Sequence, residues 1–172
     1  MFVDELIQDS PEYSATLYRT QIVTAALTMG VVIFLIIALF VPAFPPGKAP
    51  MPGGPLITLF GIAFTVLDLI ARRILLPFIT KIKLKEIARS PKPNQIGEIC
   101  LLFATRTIVG TALIEAPAFF MVIAYMMERH PAALGTVLLL IVGIAMQITT
   151  KEKYKAWLDT QFARLEELSA DA

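Results

Sequence analysis

The stretch IVTAALTMGVVIFLIIALFV, Ile22 to Val41, runs for 20 residues without a charge. At about 1.5 Å per helical residue it reaches about 30 Å, the thickness of the hydrocarbon core of a bilayer. Three more apolar stretches follow: about Leu56 to Leu76, Ile99 to Met127 and Pro131 to Ile148. The whole chain is 56% hydrophobic and only 17% charged. A soluble domain is usually near half apolar at most. These stretches predict an all-α integral membrane protein with four transmembrane helices.

The connections fit that reading. Ser10-Pro11-Glu12 reads as a helix start: a capping hydroxyl, a proline suited to the first turn, and an acid at the positive end of the dipole. The first twelve residues carry Asp4, Glu5, Asp9 and Glu12 and no base. A cleaved signal peptide, which opens on a basic segment, is therefore not expected. Residues 42–55 hold six prolines and three glycines and are predicted to form a loop. The second stretch is interrupted by Asp68, Arg72 and Arg73. The third is longer than a membrane needs and should protrude, tilt or kink. In the last segment, 150–168, Tyr154, Trp157, Leu158, Phe162, Leu165 and Leu168 recur at helical spacing. That pattern predicts an amphipathic helix at the membrane surface or against a partner.

Basic residues set the orientation. Arg19 is alone in the N-terminal segment, Lys48 in the 42–55 loop and Arg129 in the turn near 129. Residues 72–106 hold eight bases and the C-terminal segment four. The middle connection and both termini are thus expected in the cytoplasm, in a cell (inner) membrane. The resulting organisation is a single membrane domain. It comprises an N-terminal segment (1–21), a first hairpin (22–76), a basic connection (77–98), a second hairpin (99–148) and an amphipathic tail (149–172).

The two halves resemble each other. Arg19-Thr20-Gln21-Ile22-Val23-Thr24-Ala25-Ala26-Leu27 aligns with Arg106-Thr107-Ile108-Val109-Gly110-Thr111-Ala112-Leu113, with one residue skipped. Gly61-Ile62-Ala63-Phe64 aligns with Gly143-Ile144-Ala145-Met146. TKIKLK at 80–85 matches TKEKYK at 150–155. Matches in the same order predict a tandem duplication, two parallel hairpins related by an axis along the membrane normal. The competing explanation is chance similarity between apolar segments of low diversity.

Few residues carry candidate chemistry. Glu115 lies in an apolar run, uncharged for eight positions before it and twelve after. A mid-membrane acid costs about 2.5–3.5 kcal/mol on insertion scales. Burial there disfavours its charged form. Pro117 frees the carbonyl of Leu113, one turn back. Thr111 and Thr107 fall on the face of Glu115. This set suits proton or cation coupling, a helix-joining hydrogen bond, or a contact to a partner subunit. Asp68 and Arg72, four apart, suit an ion pair, as does Asp68 with Arg106. That cluster reads as structural or topological.

Other candidates are weak. Cys100, the only cysteine, reads as a buried packing residue. Glu128 and His130 make a thin metal site, since zinc wants three or four ligands. The basic stretch 81–92 suits anionic lipid, but orientation already explains its charges. Only Asp68, Glu98, Glu115 and His130 could serve an enzyme, and no spacing unites them. No nucleotide loop, nucleophile elbow or HExxH helix is present. No cofactor, metal or nucleic acid is expected.

The stretch ALIEAPAFF, Ala112 to Phe120, is similar over about twenty residues to the acid-bearing helix of the proteolipid rotor subunits of rotary ATPases. That family places its acid on the second helix of the hairpin and packs a glycine-rich first helix. Here Glu115 is on the first helix and the glycines are missing, so the chain is assigned to no family. The expected function is that of a small multi-pass membrane protein without catalytic activity. It would be an accessory or structural subunit or a homo-oligomeric scaffold, partnered by the lipid bilayer and by other membrane subunits or itself. The alternative is a proton- or cation-coupled carrier or channel using Glu115.

Overall fold

The computed structural model describes residues 11–40, 55–89 and 92–170. Five helices account for nearly all of them: α1 (Pro11–Phe40), α2 (Leu56–Ile87), α3 (Lys92–Glu128), α4 (Pro131–Ala145) and α5 (Lys151–Ala170). No strand occurs among the described residues. α1 starts at Pro11 as expected. The expected cap Ser10, and the expected 42–55 loop up to Gly54, lie outside the described residues.

Among the described residues two helices are long and apolar enough to cross a membrane: Tyr13–Phe40, of 28 residues, in α1 and Gln95–Glu128, of 34 residues, in α3. α2 and α4 fall short of that standard for different reasons. In α2 the uncharged run from Leu56 meets Asp68, Arg72 and Arg73. α4 has 15 residues, about 22 Å of helix. It ends at Ala145 rather than at the expected Ile148.

The second helix also runs further than expected. α2 continues through Pro77 to Ile87, so most of the 77–98 connection is helix. Proline inside a helix removes one hydrogen bond and costs about 3 kcal/mol. Leu76, Thr80, Leu84 and Ile87 fall on one face and are all buried. Burial of that face offsets the cost.

The chain divides into two compact units. The first comprises Met1–Val23, Ile74–Val109 and Ile148–Ala172. Its core is aromatic at the centre. Tyr154, 0% exposed, stacks on Tyr13 at 4.7 Å between ring centroids and meets Phe103 at 4.3 Å. Burial pushes the Tyr154 phenol well above its ordinary range. Cys100 is buried in this core, as expected of a packing residue. Tyr154, Leu158, Gln161 and Leu165 face inward from α5. The apolar face of α5 was expected on a membrane surface or a partner; it lies instead against the core of its own chain. Gln21 Nε2 donates to the Thr149 carbonyl at 2.8 Å and holds the start of α5 to α1.

The second unit comprises Thr24–Arg73 and Gly110–Gln147. α3 is its inner helix: Ile114, Ala118, Met121 and Val122 are buried along one face. The outward faces of α1, α2 and α4 are apolar. Phe40, Phe60 and Leu139 are 83%, 66% and 75% exposed. The buried polar side chains of this unit are threonines, and some threonines bond within their own helix. Thr28 donates to the Thr24 carbonyl and Thr65 to the Gly61 carbonyl, each at 2.8 Å.

The paired motifs of the two halves have different surroundings. Thr80 lies within α2 and donates to the Leu76 carbonyl at 2.7 Å. Thr150 precedes α5, and its Oγ1 accepts from the Lys153 N–H at 3.4 Å. Gly61 faces α3 so closely that a Cβ there would collide with Met121 Sδ and lie 3.0 Å from the Phe120 ring. Gly143 has nothing within 4 Å of that position.

Gly61→Ala is therefore expected to destabilise by about 1–3 kcal/mol through overpacking. Gly143→Ala should be neutral or slightly stabilising, because alanine is the better helix former. Thermal unfolding of the two purified variants in one detergent checks this; equal midpoints would refute the close α2–α3 packing.

Candidate functional site

The turn between α3 and α4 joins three helix ends within the second unit. Helix termini leave backbone N–H and C=O groups without intrahelical partners. The Glu128 carboxylate accepts from the N–H of Ile57 at 2.7 Å and of Thr58 at 2.9 Å, capping the start of α2. Arg129 has a positive φ of 51°. A left-handed conformation at a residue other than glycine costs about 1–3 kcal/mol. In exchange, Arg129 Nη1 donates to the Ala38 carbonyl at 3.1 Å, near the end of α1. Its guanidinium also lies 5.2 Å from the centroid of the Tyr125 ring. His130 is the N-cap of α4, its Nδ1 accepting from the Ala132 N–H at 3.2 Å. The Glu128 and His130 pair thus serves as caps. Among the described residues no group of three His, Cys, Asp or Glu is placed to hold a metal ion.

Glu115 is half-buried on α3. A Cβ built on Gly30 would lie 3.9 Å from its Oε1 and 3.6 Å from Phe119 Cζ. The acid therefore faces α1 across a glycine. It makes no hydrogen bond or ion pair among the described residues. The helix-joining hydrogen bond considered for it is absent among the described residues. Thr111 is buried and donates to Gln147 Oε1 at 3.4 Å. Gln147 Nε2 in turn donates to the Gly143 carbonyl at 3.4 Å. Pro117 is buried inside α3. The second unit thus holds Glu115, Thr111 and Pro117, while Thr107 belongs to the first.

The expected charge cluster does not form as an ion-pair set. Asp68 and Arg72 belong to the second unit and Arg106 to the first. Asp68 makes no ion pair among the described residues. An i,i+4 pair is worth only about 0.2–0.5 kcal/mol, too little to fix two side chains against their rotamer entropy. Arg106 has a different setting. Its guanidinium lies 5.8 Å from the centroid of the Trp157 ring. Both residues line a cavity of about 700 Å³ in the first unit.

Sequence reading missed two features. One is the Glu128 cap, whose partners are 70 and 71 positions away. The other is the cavity, whose lining comes from α2, α3 and α5. A signal for the first was present: an acid directly after an apolar run is placed to accept from N–H groups at a neighbouring helix start. Comparison with protein families, characterised proteins and solved structures finds no match for the chain.

Glu128→Ala strands two backbone donors at the start of α2. It is expected to lower stability by about 1–3 kcal/mol. Glu128→Gln, which keeps one acceptor oxygen, should cost less. Chemical unfolding followed by circular dichroism measures both; a silent Glu128→Ala would remove the turn from its capping role.

Proposed function

We propose that the chain is a four-span membrane bundle without catalytic activity, which assembles with itself or with other membrane subunits. The observation that carries this reading is Glu115. An acid in an apolar helix stays costly until a donor meets it. No donor is supplied among the described residues, and the side chain is only partly buried. A second subunit supplies the missing contact. The apolar outward faces support immersion in lipid: soluble proteins rarely expose contiguous apolar patches beyond a few hundred Å². Large side chains of α2 and α4, among them Leu59, Phe60, Leu67, Leu138 and Leu139, are exposed in the same way as those of α1. On this reading α2 and α4 are the second and fourth spans. The short α4 is accommodated by local thinning of the bilayer. Asp68 and Arg72 are half-exposed near the end of the second span, and Arg73 snorkels to the headgroups. The distribution of bases puts both termini and the middle connection in the cytoplasm. The ordered sequence matches support an origin by hairpin duplication. The differing settings of Gly61 and Gly143 mark how far the halves have diverged.

A second reading has its own support. Glu115 shares its unit with the buried Pro117, which leaves the Leu113 carbonyl without its helical donor, and with the Thr111–Gln147 pair. An unpartnered carboxyl on the same helix as a carbonyl deprived of its helical donor suits a proton or cation. This reading makes the chain an ion-coupled carrier or channel.

Light scattering of the purified protein in mild detergent separates the two. For the scaffold, the wild type runs as an oligomer and Glu115→Leu shifts it toward the monomer. Proton or cation flux into liposomes is absent from both. A monomeric wild type whose flux is abolished by Glu115→Gln would overturn the scaffold and establish the carrier.

A further inference from the structure

We propose that the cavity of the first unit binds a phosphate-bearing anion. Four cationic side chains line it: Lys81 and Lys85 from α2, Arg106 from α3 and Arg164 from α5. A single carboxylate, Glu167, stands with them. None of the four cations makes a hydrogen bond or ion pair among the described residues. Arg106 is half-buried, with an aromatic face as its neighbour and the like charge of Arg164 acting on it. A guanidinium withdrawn from water without a counter-ion is unfavourable, and an anion relieves it.

Two neutral groups point the same way. The Trp157 Nε1–H is buried without a hydrogen-bond partner, and an indole N–H can only donate. Gln161 is 3% exposed, and its Oε1 is likewise without a partner. A half-turn of its amide presents either the oxygen to a ligand hydroxyl or the NH₂ to a ligand oxygen. Phosphate oxygens take several donors at once, and the forked guanidinium suits them best.

Size narrows the ligand. A volume of about 700 Å³ is in the range of sites for small organic ligands, about 300–1,000 Å³. It exceeds what an inorganic phosphate fills, so the ligand carries an organic body. A lipid headgroup and a soluble phosphoester share that chemistry.

The full-length protein in nanodiscs tests this, and Trp157, the only tryptophan in the chain, reports on the cavity itself. One arm titrates glycerol phosphate onto protein in phosphatidylcholine discs. The other compares phosphatidylcholine discs with discs that also contain phosphatidic acid. Native mass spectrometry counts the bound probe in each arm. A saturable change in Trp157 emission with a bound probe is expected in at least one arm. A response in the first arm identifies a soluble phosphoester; a response in the second arm alone identifies a lipid headgroup. Arg106→Gln with Arg164→Gln should weaken binding by about tenfold or more, as loss of charge-assisted hydrogen bonds requires. Arg164→Gln alone, at an exposed position that does not endanger the fold, should weaken it in the same direction. Arg89→Gln with Lys151→Gln removes the same charge from exposed positions outside the cavity and should leave binding unchanged. No bound probe in either arm overturns the proposal, and so does equal weakening by the two double variants. Neither outcome bears on the oligomer expected from Glu115.

Discussion

Helix ends in apolar surroundings must find partners for their backbone N–H and C=O groups, and residues 128–130 supply them at three ends together. Glu128 takes two donors from α2, Arg129 gives one to α1, and His130 caps α4. Three consecutive side chains therefore set the heights of three helices relative to α3. The left-handed backbone at Arg129 follows from this geometry. Consecutive side chains must diverge to reach separate helices, and the conformational cost is met by the bonds they make. Water would satisfy these groups on a soluble protein. Near hydrocarbon it does not, and an unsatisfied backbone group costs several kcal/mol.

Much of the fold was legible because it follows from local pattern. α1 begins at Pro11 because the first helical position tolerates a missing N–H. The periodic apolar residues of 150–168 gave a helix, and α5 buries Tyr154, Leu158 and Leu165. What the face of α5 covers was not legible, because periodicity names a buried face and not the surface that buries it. The same limit applies to α2. Pro77 is a stop signal locally, but Thr80, Leu84 and Ile87 find a core that carries the helix past it. The Glu128 cap was hidden because its partners are about 70 positions away in sequence.

The candidate sites were legible to different degrees. An isolated acid announces itself, so Glu115 needed no structure to be noticed. Its neighbour Gly30 could not be read, since contact between α1 and α3 is a tertiary fact. Arg106 was legible as a charge apart from the other bases, grouped with Asp68 and Arg72, but its neighbour Trp157, 51 positions away in sequence, was not. Its half-burial beside Trp157 sets it apart from Lys83, which is exposed and pairs with Glu86 at 2.7 Å. A count of charges cannot separate a solvated lysine from a partly desolvated arginine.

Each unit therefore holds polar groups that the described chain does not complete: a carboxyl in the second, and guanidinium and indole groups in the first. Their signs are opposite and their surroundings differ, so one kind of complement cannot serve both. The carboxyl lies on α3, which is long and apolar enough to cross a membrane; a second helix or a small cation would complement it there. The cationic cavity is lined by exposed lysines, where water and headgroups have access, and an anion is its natural complement. Buried polar groups in native proteins are normally satisfied. Two sets of charged and hydrogen-bonding groups remain incomplete among the described residues. They are what the proposal of a chain completed by a partner and an anion would account for.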